Sequence, residues 1–257
     1  MNKERRRRVA LVTGASKGIG RGVAVGLANG GWDVAINYRS DRDGAEETAA
    51  SVSSAGGTAW LVAGNVGDSK DVESMFAQLD DEAGRLDLLV NNAGVQTWAP
   101  LLDLKEEDWN RTIDTNLKGT YLCTQQAARR MRDNETSSAV INIGSGANKR
   151  PFPNLVDYGA SKGGIERLTR VSAVELGPLG IRVNCVAPGA IEIERTKHEA
   201  PDYAGTWAPI TPMRRVGNVA DVAHVVVFLA SEAAEFVTGQ TVYVDGGLFT
   251  QGPWPYA

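Results

Sequence analysis

"VALVTGASKGIG", residues 9–20, joins an apolar run directly to a glycine-rich turn. Its first five residues, 9–13, are apolar nearly throughout, as a strand buried on both faces requires. Gly14, Gly18 and Gly20 then lead into an amphipathic stretch over 18–29. The order is strand, tight turn, helix, and it recurs along the whole chain. Further strand-like runs are "DVAIN" 33–37, "TAWLV" 58–62, "LDLLV" 86–90, "AVINI" 139–143, "IRVNCV" 181–186 and "TVYV" 241–244. Helical patterns lie between them over 42–55, 69–82, 109–132, 156–176 and 218–231. Seven strands joined by helical crossovers predict an α/β fold with one doubly wound, seven-stranded parallel sheet and helices on both faces. No Pro/Ser-rich linker, repeat or low-complexity segment divides the sequence, so 1–257 reads as a single domain. The longest stretch without periodicity, 188–216, reads as a functional loop of the lid type.

The bulk numbers narrow the function classes. With 42% hydrophobic residues and 29 glycines in 257, a large core and many tight turns are both expected. Asp and Glu outnumber Lys and Arg by 31 to 27, which argues against non-specific nucleic-acid binding. The one basic cluster, "KERRRR" 3–8, reads as a solvated flank of the first strand, or else as a phosphate-binding or targeting segment. No run approaches the ~18 apolar residues of a membrane span, and no signal-peptide pattern follows the basic cluster. Cys123 and Cys185 form neither a disulfide framework nor, with His198 and His224, a zinc-ligand pattern. The expectation is a cytoplasmic protein with no metal.

Two glycine-bearing turns follow strands. "TGASKGIG" 13–20 would let backbone approach a pyrophosphate at a helix N-terminus. Read alone it is equally a plain strand-to-helix turn. "NNAG" 91–94 gives a second close backbone approach after the fourth strand, where open α/β sheets bind ligands.

"YGASKGG" 158–164 puts Lys162 one helical turn after Tyr158, with small residues between. A phenol is a poor proton acceptor at neutral pH, its ordinary pKa being near ~10. A unit positive charge at ~4 Å and an effective dielectric of ~20 favours a phenolate by about 4 kcal/mol. The pair thus suits acid/base work, although an isolated pair of this spacing is more often an ordinary surface contact. Ser145 ends "AVINIGS" and reads alone as a turn former or cap, while its "GSG" is not a nucleophile elbow. Asn116, in "TIDTNLKG", reads alone as a local kink or a satisfied polar residue.

Together these motifs, with "PG" 188–189, resemble the short-chain dehydrogenase/reductase family over essentially the whole chain. The resemblance implies a Rossmann-type fold and an NAD or NADP cofactor. It implies Gly14, Ser16, Gly18, Ile19 and Gly20 around the pyrophosphate, and Asn92, Ala93 and Gly94 along the adenosine-side ribose. Asn65 and Val66 would face the adenine, with Asn65 standing where relatives usually have Asp. Pro188, Gly189 and Ile191 would hold the nicotinamide carboxamide. Relatives often have a threonine where this chain has Ile193, and Thr196 comes later than that position. Tyr158 would exchange the proton, Lys162 would bind the nicotinamide ribose, Asn116 would hold a relay water, and Ser145 would polarise the substrate carbonyl.

Relatives that prefer NAD carry an acid where this chain has Tyr38. Here Tyr38, Arg39 and Ser40 follow the second strand, and Arg39 with Lys17 suits a 2′-phosphate. NADP is therefore expected, with NAD possible because no acid opposes the phosphate and no large basic cluster demands it.

"RPFPNLVDYGASKGG" and "NYRS" resemble sugar 1-dehydrogenases, whereas "IGS" and "VNNAG" suit 3-oxoacyl-acyl carrier protein reductases equally. Gln96, Trp98, Asn148, Glu192 and Trp207 would form a polyol pocket, which favours a sugar. The alternatives are the acyl carrier protein reductase, a general ketone reductase and, remotely, a non-catalytic NADP sensor. The partner expected is a small carbonyl or alcohol, with no nucleic acid and no membrane. The resemblance implies a homotetramer. The aromatic tail 248–257 would dock across a subunit interface and help close the pocket of 96–98 and 190–207.

Overall fold

The computed structural model describes residues 7–134, 137–250 and 252. Seven strands form one sheet: β1 (Arg8–Val12), β2 (Trp32–Tyr38), β3 (Ala59–Ala63), β4 (Leu88–Asn91), β5 (Ser138–Ile143), β6 (Ile181–Pro188) and β7 (Thr241–Val244). All neighbours are parallel, in the order β3-β2-β1-β4-β5-β6-β7. The winding reverses between β1 and β4, and a crevice opens there at the strands' carboxyl ends. Arg8 begins β1 with its guanidinium over the Trp32 ring, 4.1 Å from the centroid, and Arg7 donates to the Gly56 carbonyl. The rest of the basic cluster lies outside the described residues.

The helices are α1 (Gly18–Asn29), α2 (Arg42–Ser54), α3 (Ser69–Ala83), α4 (Glu106–Ile113), α5 (Gly119–Met131), α6 (Val156–Leu176), α7 (Glu194–Glu199), α8 (Tyr203–Trp207) and α9 (Val219–Ala230). Strand side chains alternate between two cores. Ala10 and Val12 of β1 join Val23, Leu27, Val226 and Leu229 of α1 and α9 on one face. Val9 and Leu11 join Phe76, Leu79 and Met131 of α3 and α5 on the other. Such two-sided burial explains why these strands read as unbroken apolar runs. Asp68 caps α3 by accepting from the Lys70 and Asp71 N–H groups. Asn218 and Asp221 form a reciprocal cap at the start of α9.

Two expectations change. The single helix expected over 109–132 is α4, a π-turn at Asp114–Lys118 and α5. The stretch 188–216 is not structureless, because it carries α7 and α8.

Candidate active site

A cleft of about 1100 Å³ runs along the carboxyl ends of β1, β2, β4, β5 and β6. At one end of it the backbone of the first turn is held open by glycine. Gly14 has φ +60°, and a Cβ there would lie 2.8 Å from Ala93 Cα. A Cβ on Gly20 would lie 2.5 Å from both Asn92 Nδ2 and the Gly14 carbonyl oxygen. The two glycine-bearing turns are therefore packed backbone to backbone, which only glycine permits. Thr13 Oγ1 accepts from the N–H groups of Asn92 (2.9 Å) and Ala93 (3.1 Å), and Asn92 Nδ2 donates to the Thr13 and Gly14 carbonyls. Asn37 Oδ1 accepts from the Gly14 N–H at 3.1 Å. The N-cap residue of α1, Lys17, supplies no side-chain cap. Its first N–H groups stay available to an anion.

Ser16, Lys17, Gly18, Ile19, Tyr38, Arg39 and Ser40 line this end, as expected for them. Arg39 is exposed and forms no ion pair among the described residues. Lys17 is already engaged, with Nζ 3.4 Å from Asp41 Oδ2. Asp41 also lines the cleft, so the expectation that no acid opposes a phosphate is corrected. It was hidden because its turn brings it back beside Lys17. The Ser16 hydroxyl, then the Gly44 N–H, and also Lys17, hold the Asp41 carboxyl below the usual range. Asn65 and Val66 line the cleft, and Asn65 Oδ1 accepts from the Gly67 N–H at 3.1 Å.

Ser145, Tyr158 and Lys162 all line the cleft. Ser145 stands past the end of β5, and its Oγ accepts from the Ala147 N–H at 3.2 Å. Lys162 is 4% exposed, with Nζ donating to the Ile143 carbonyl at 2.7 Å and lying 5.5 Å from the Tyr158 ring centroid. Among the described residues it pairs with no carboxylate. Gly94 leaves the room beside it, since a Cβ there would be 3.8 Å from Lys162 Nζ and 3.4 Å from Asn116 Oδ1. Asn116 is fully buried in the π-turn. Its Oδ1 accepts from the Val95 N–H (2.8 Å), and its Nδ2 donates to the Val95 carbonyl (2.9 Å) and Ser161 Oγ (3.0 Å). Ser161 Oγ donates onward to the Tyr158 carbonyl at 2.8 Å. The amide of Asn116 thus ties the turn after β4 to the helix that carries Tyr158.

The family model described as enoyl-(acyl carrier protein) reductase matches residues 14–249. The chain is 39% identical over 240 residues to the 3-oxoacyl-(acyl-carrier-protein) reductase FabG of Staphylococcus aureus (strain Mu50 / ATCC 700699), covering 93% of this chain and 97% of that one. This chain belongs to the short-chain dehydrogenase/reductase family. Among solved structures of the family, a short-chain alcohol dehydrogenase-like protein of Sinorhizobium meliloti 1021 superposes with a TM-score of 0.90 at 38% identity, covering 95% of this chain and 97% of that one. The angucycline C-6 ketoreductase LanV with bound NADP superposes with a TM-score of 0.88 at 35% identity, covering 95% and 96%. The protein is accordingly an oxidoreductase of CH–OH and keto groups that uses a nicotinamide cofactor.

Within this family frame, the remaining expected residues divide. Pro188, Gly189 and Ile191 line the cleft, and a Cβ on Gly189 would lie 2.7 Å from Asp245 Cα. Ile193 packs toward Gly18, and Thr196 lines the cleft with its hydroxyl on the Ile193 backbone, accepting from the N–H and donating to the carbonyl, both at 2.9 Å. Gln96, Trp98 and Trp207 line the substrate half. Asn148 and Glu192 do not, which corrects their expected placement. Asn148 Nδ2 donates to Glu166 and its Oδ1 accepts from the Tyr243 hydroxyl, in a separate shallow depression. The Glu192 carboxylate turns to Lys197, 3.0 Å away.

At the start of the tail, Leu248 and Phe249 pack into the cleft, and residues 251 and 253–257, with the docking expected of them, lie outside the described residues. Asn37, Asp41, Phe152 and Leu155 line the cleft without having been expected there, and Tyr203 lies within the expected stretch 190–207. "RPFPN" marked a stretch of note around Phe152, but nothing in the local sequence separates the others from ordinary core or loop positions.

Proposed function

We propose that the protein is an NADP(H)-linked reductase of a ketone, or dehydrogenase of the corresponding secondary alcohol. The observation that carries this reading is a buried ammonium, Lys162, held by one carbonyl and facing the Tyr158 ring in a cleft that also holds Ser145. A buried lysine without a carboxylate needs further acceptors, and ribose hydroxyls beside Gly94 would supply them. The glycine cradle would hold the pyrophosphate, and Pro188, Gly189 and Ile191 the carboxamide. Bound there, the nicotinamide supplies or accepts the hydride. Ser145 Oγ–H donates to the substrate oxygen and orients it. The Tyr158 hydroxyl gives its proton to that oxygen in reduction and takes it back in oxidation. Lys162 favours the resulting phenolate by its charge. Asn116 positions Tyr158 through Ser161 rather than by a free amide. Arg39, unpaired among the described residues at the cleft mouth, supports NADP over NAD.

The polyol reading rested on five residues, and Asn148 and Glu192 turn away from the cleft. A ketone is therefore preferred to a sugar. A second reading, reduction of a 3-oxoacyl thioester, is favoured by the staphylococcal relative. Tyr158→Phe should bind NADPH as the wild type does, by fluorescence titration, while turnover of a ketone panel falls by at least ~10²-fold. A variant that keeps most of its turnover would overturn the assignment of Tyr158.

A further inference from the structure

We propose that the substrate half of the cleft selects an apolar ketone built on a flat ring, and that Phe249 is the residue that sets this selection. The inference rests on reading the cleft as a carbonyl-reducing site. Beyond Ser145 and Tyr158 the substrate half is lined mainly by Phe152, Leu155, Tyr203, Trp207, Leu248 and Phe249, with Gln96 beside them. Phe152 meets Trp207 edge-on at 6.4 Å between centroids and 75°, and meets Phe249 at 6.0 Å and 76°. Tyr203 lies 6.2 Å from Trp207. These rings form a continuous wall whose faces and edges suit another ring. Burial first of all pushes the Tyr203 phenol up to about 12. Exposed Trp98 stands at its rim.

Phe249 reaches this wall by a specific device. Asp245 accepts from the Gly247 N–H through Oδ1 (2.9 Å) and from the Phe249 N–H through Oδ2 (2.8 Å), which fixes the turn after β7. Gly246 and Gly247 take φ +60° and +86° to make that turn. The ring then fills the place of a side chain at Gly146, where a Cβ would lie 1.8 Å from Phe249 Cε2. Gly146 follows Ser145 directly, so the ring sits beside the residue read as orienting the carbonyl.

The alternatives fit this wall poorly. A sugar pressed on it would find few partners for its several hydroxyls beyond Gln96, Ser145 and Tyr158. An acidic carrier protein or a phosphorylated arm would meet Glu194 and Glu199 among the cleft residues, with Arg195 already 3.8 Å from Glu199.

The test compares NADPH-dependent reduction of 1-tetralone (a fused-ring aryl ketone), 2,3-butanedione and acetoacetyl-coenzyme A with NADP-dependent oxidation of glucose. Wild-type kcat/KM should be highest for 1-tetralone, by ~10-fold or more, the worth of one well-placed ring contact. Phe249→Ala should raise the KM for 1-tetralone ~10-fold more than that for 2,3-butanedione, with the NADPH Kd within about twofold. Should that variant not fold, Phe249→Leu, which keeps a buried apolar group, is read by the same ratio. A higher kcat/KM for acetoacetyl-coenzyme A, or an unchanged KM ratio, would overturn the inference while leaving the carbonyl-reducing reading intact, and a higher kcat/KM for glucose would overturn both. Loss of turnover on all four compounds with NADPH still bound would overturn both.

Discussion

On the proposed NADP reading, Asp41 works against the 2′-phosphate and Arg39 works for it. Since the Asp41 carboxyl is held low by the Ser16 hydroxyl, the Gly44 N–H and Lys17, it protonates only below the ordinary carboxylate range. Its charge is therefore constant from mildly acidic to alkaline pH, and it lends the NADP/NAD ratio no pH dependence there. Asp41→Asn keeps an oxygen for the Gly44 N–H cap and frees Lys17. It should tighten NADP by up to roughly 5-fold, the range of an exposed ion-pair contact, and leave NAD nearly unchanged. Arg39→Ala should do the opposite, weakening NADP by roughly 10- to 150-fold relative to NAD. Cofactor titrations check both. Equal effects on the two cofactors would remove either residue from the phosphate site. Arg39 was legible in the sequence as a cation after the second strand. The opposition of Asp41 was not, because it depends on how the turn before α2 folds back on Lys17.

Between elements, a buried polar chain crosses the sheet. Asn91 Nδ2 on β4 donates to Thr124 Oγ1 on α5 (3.0 Å) and to Asn142 Oδ1 on β5 (2.9 Å), and Asn142 Nδ2 donates to Thr169 Oγ1 on α6 (2.9 Å). These elements also lead into the "NNAG" turn, Asn116, Ser145 and Tyr158. Asn142 is 1% exposed, so Asn142→Ala leaves buried groups of Asn91 and Thr169 short of partners. The expected cost is about 1–3 kcal/mol, read as a lower urea midpoint at unchanged slope. A midpoint equal to wild type would show that the chain contributes nothing net. In the sequence, "VINI" and "LVN" displayed these polar residues inside apolar runs, but no local pattern says that they meet. The π-turn was likewise hidden, because "DTNLK" keeps the helical composition of its neighbours and what distinguishes it is the Asn116 bond to the residue 95 backbone.

For the whole molecule, two sets of exposed apolar side chains lie on helices α5, α6 and α9 and just before β7, apart from those around 98–109, 179 and 210–213. Val171 and Val174 on α6 and Tyr121 on α5 are 41%, 78% and 46% exposed. Phe228 on α9 and Phe236 before β7 are 48% and 101% exposed. Two distinct self-complementary patches are what a dihedral tetramer needs, one for each kind of two-fold contact. Light scattering at micromolar concentration should therefore give the mass of a tetramer, and Phe236→Asp should reduce it to a dimer. A monomeric wild type would contradict this expectation.

The strands and most longer helices were legible in the sequence to within a residue or two at most ends, and with them the parallel sheet, whereas α7, α8 and the break between α4 and α5 were not. Two-sided burial writes unbroken apolar runs, and crossovers write amphipathic ones, so both signals are local. The sequence by itself also determined the glycine turns and the one-turn spacing of Tyr158 and Lys162, since these are constraints between near neighbours. Tertiary structure alone decided which polar side chains face the cleft, placing Asn148 on Glu166 and Glu192 on Lys197. It decided too that Phe152, Trp207 and Phe249 share one wall. Those outcomes depend on contacts between residues far apart in the chain, where no periodicity carries the information.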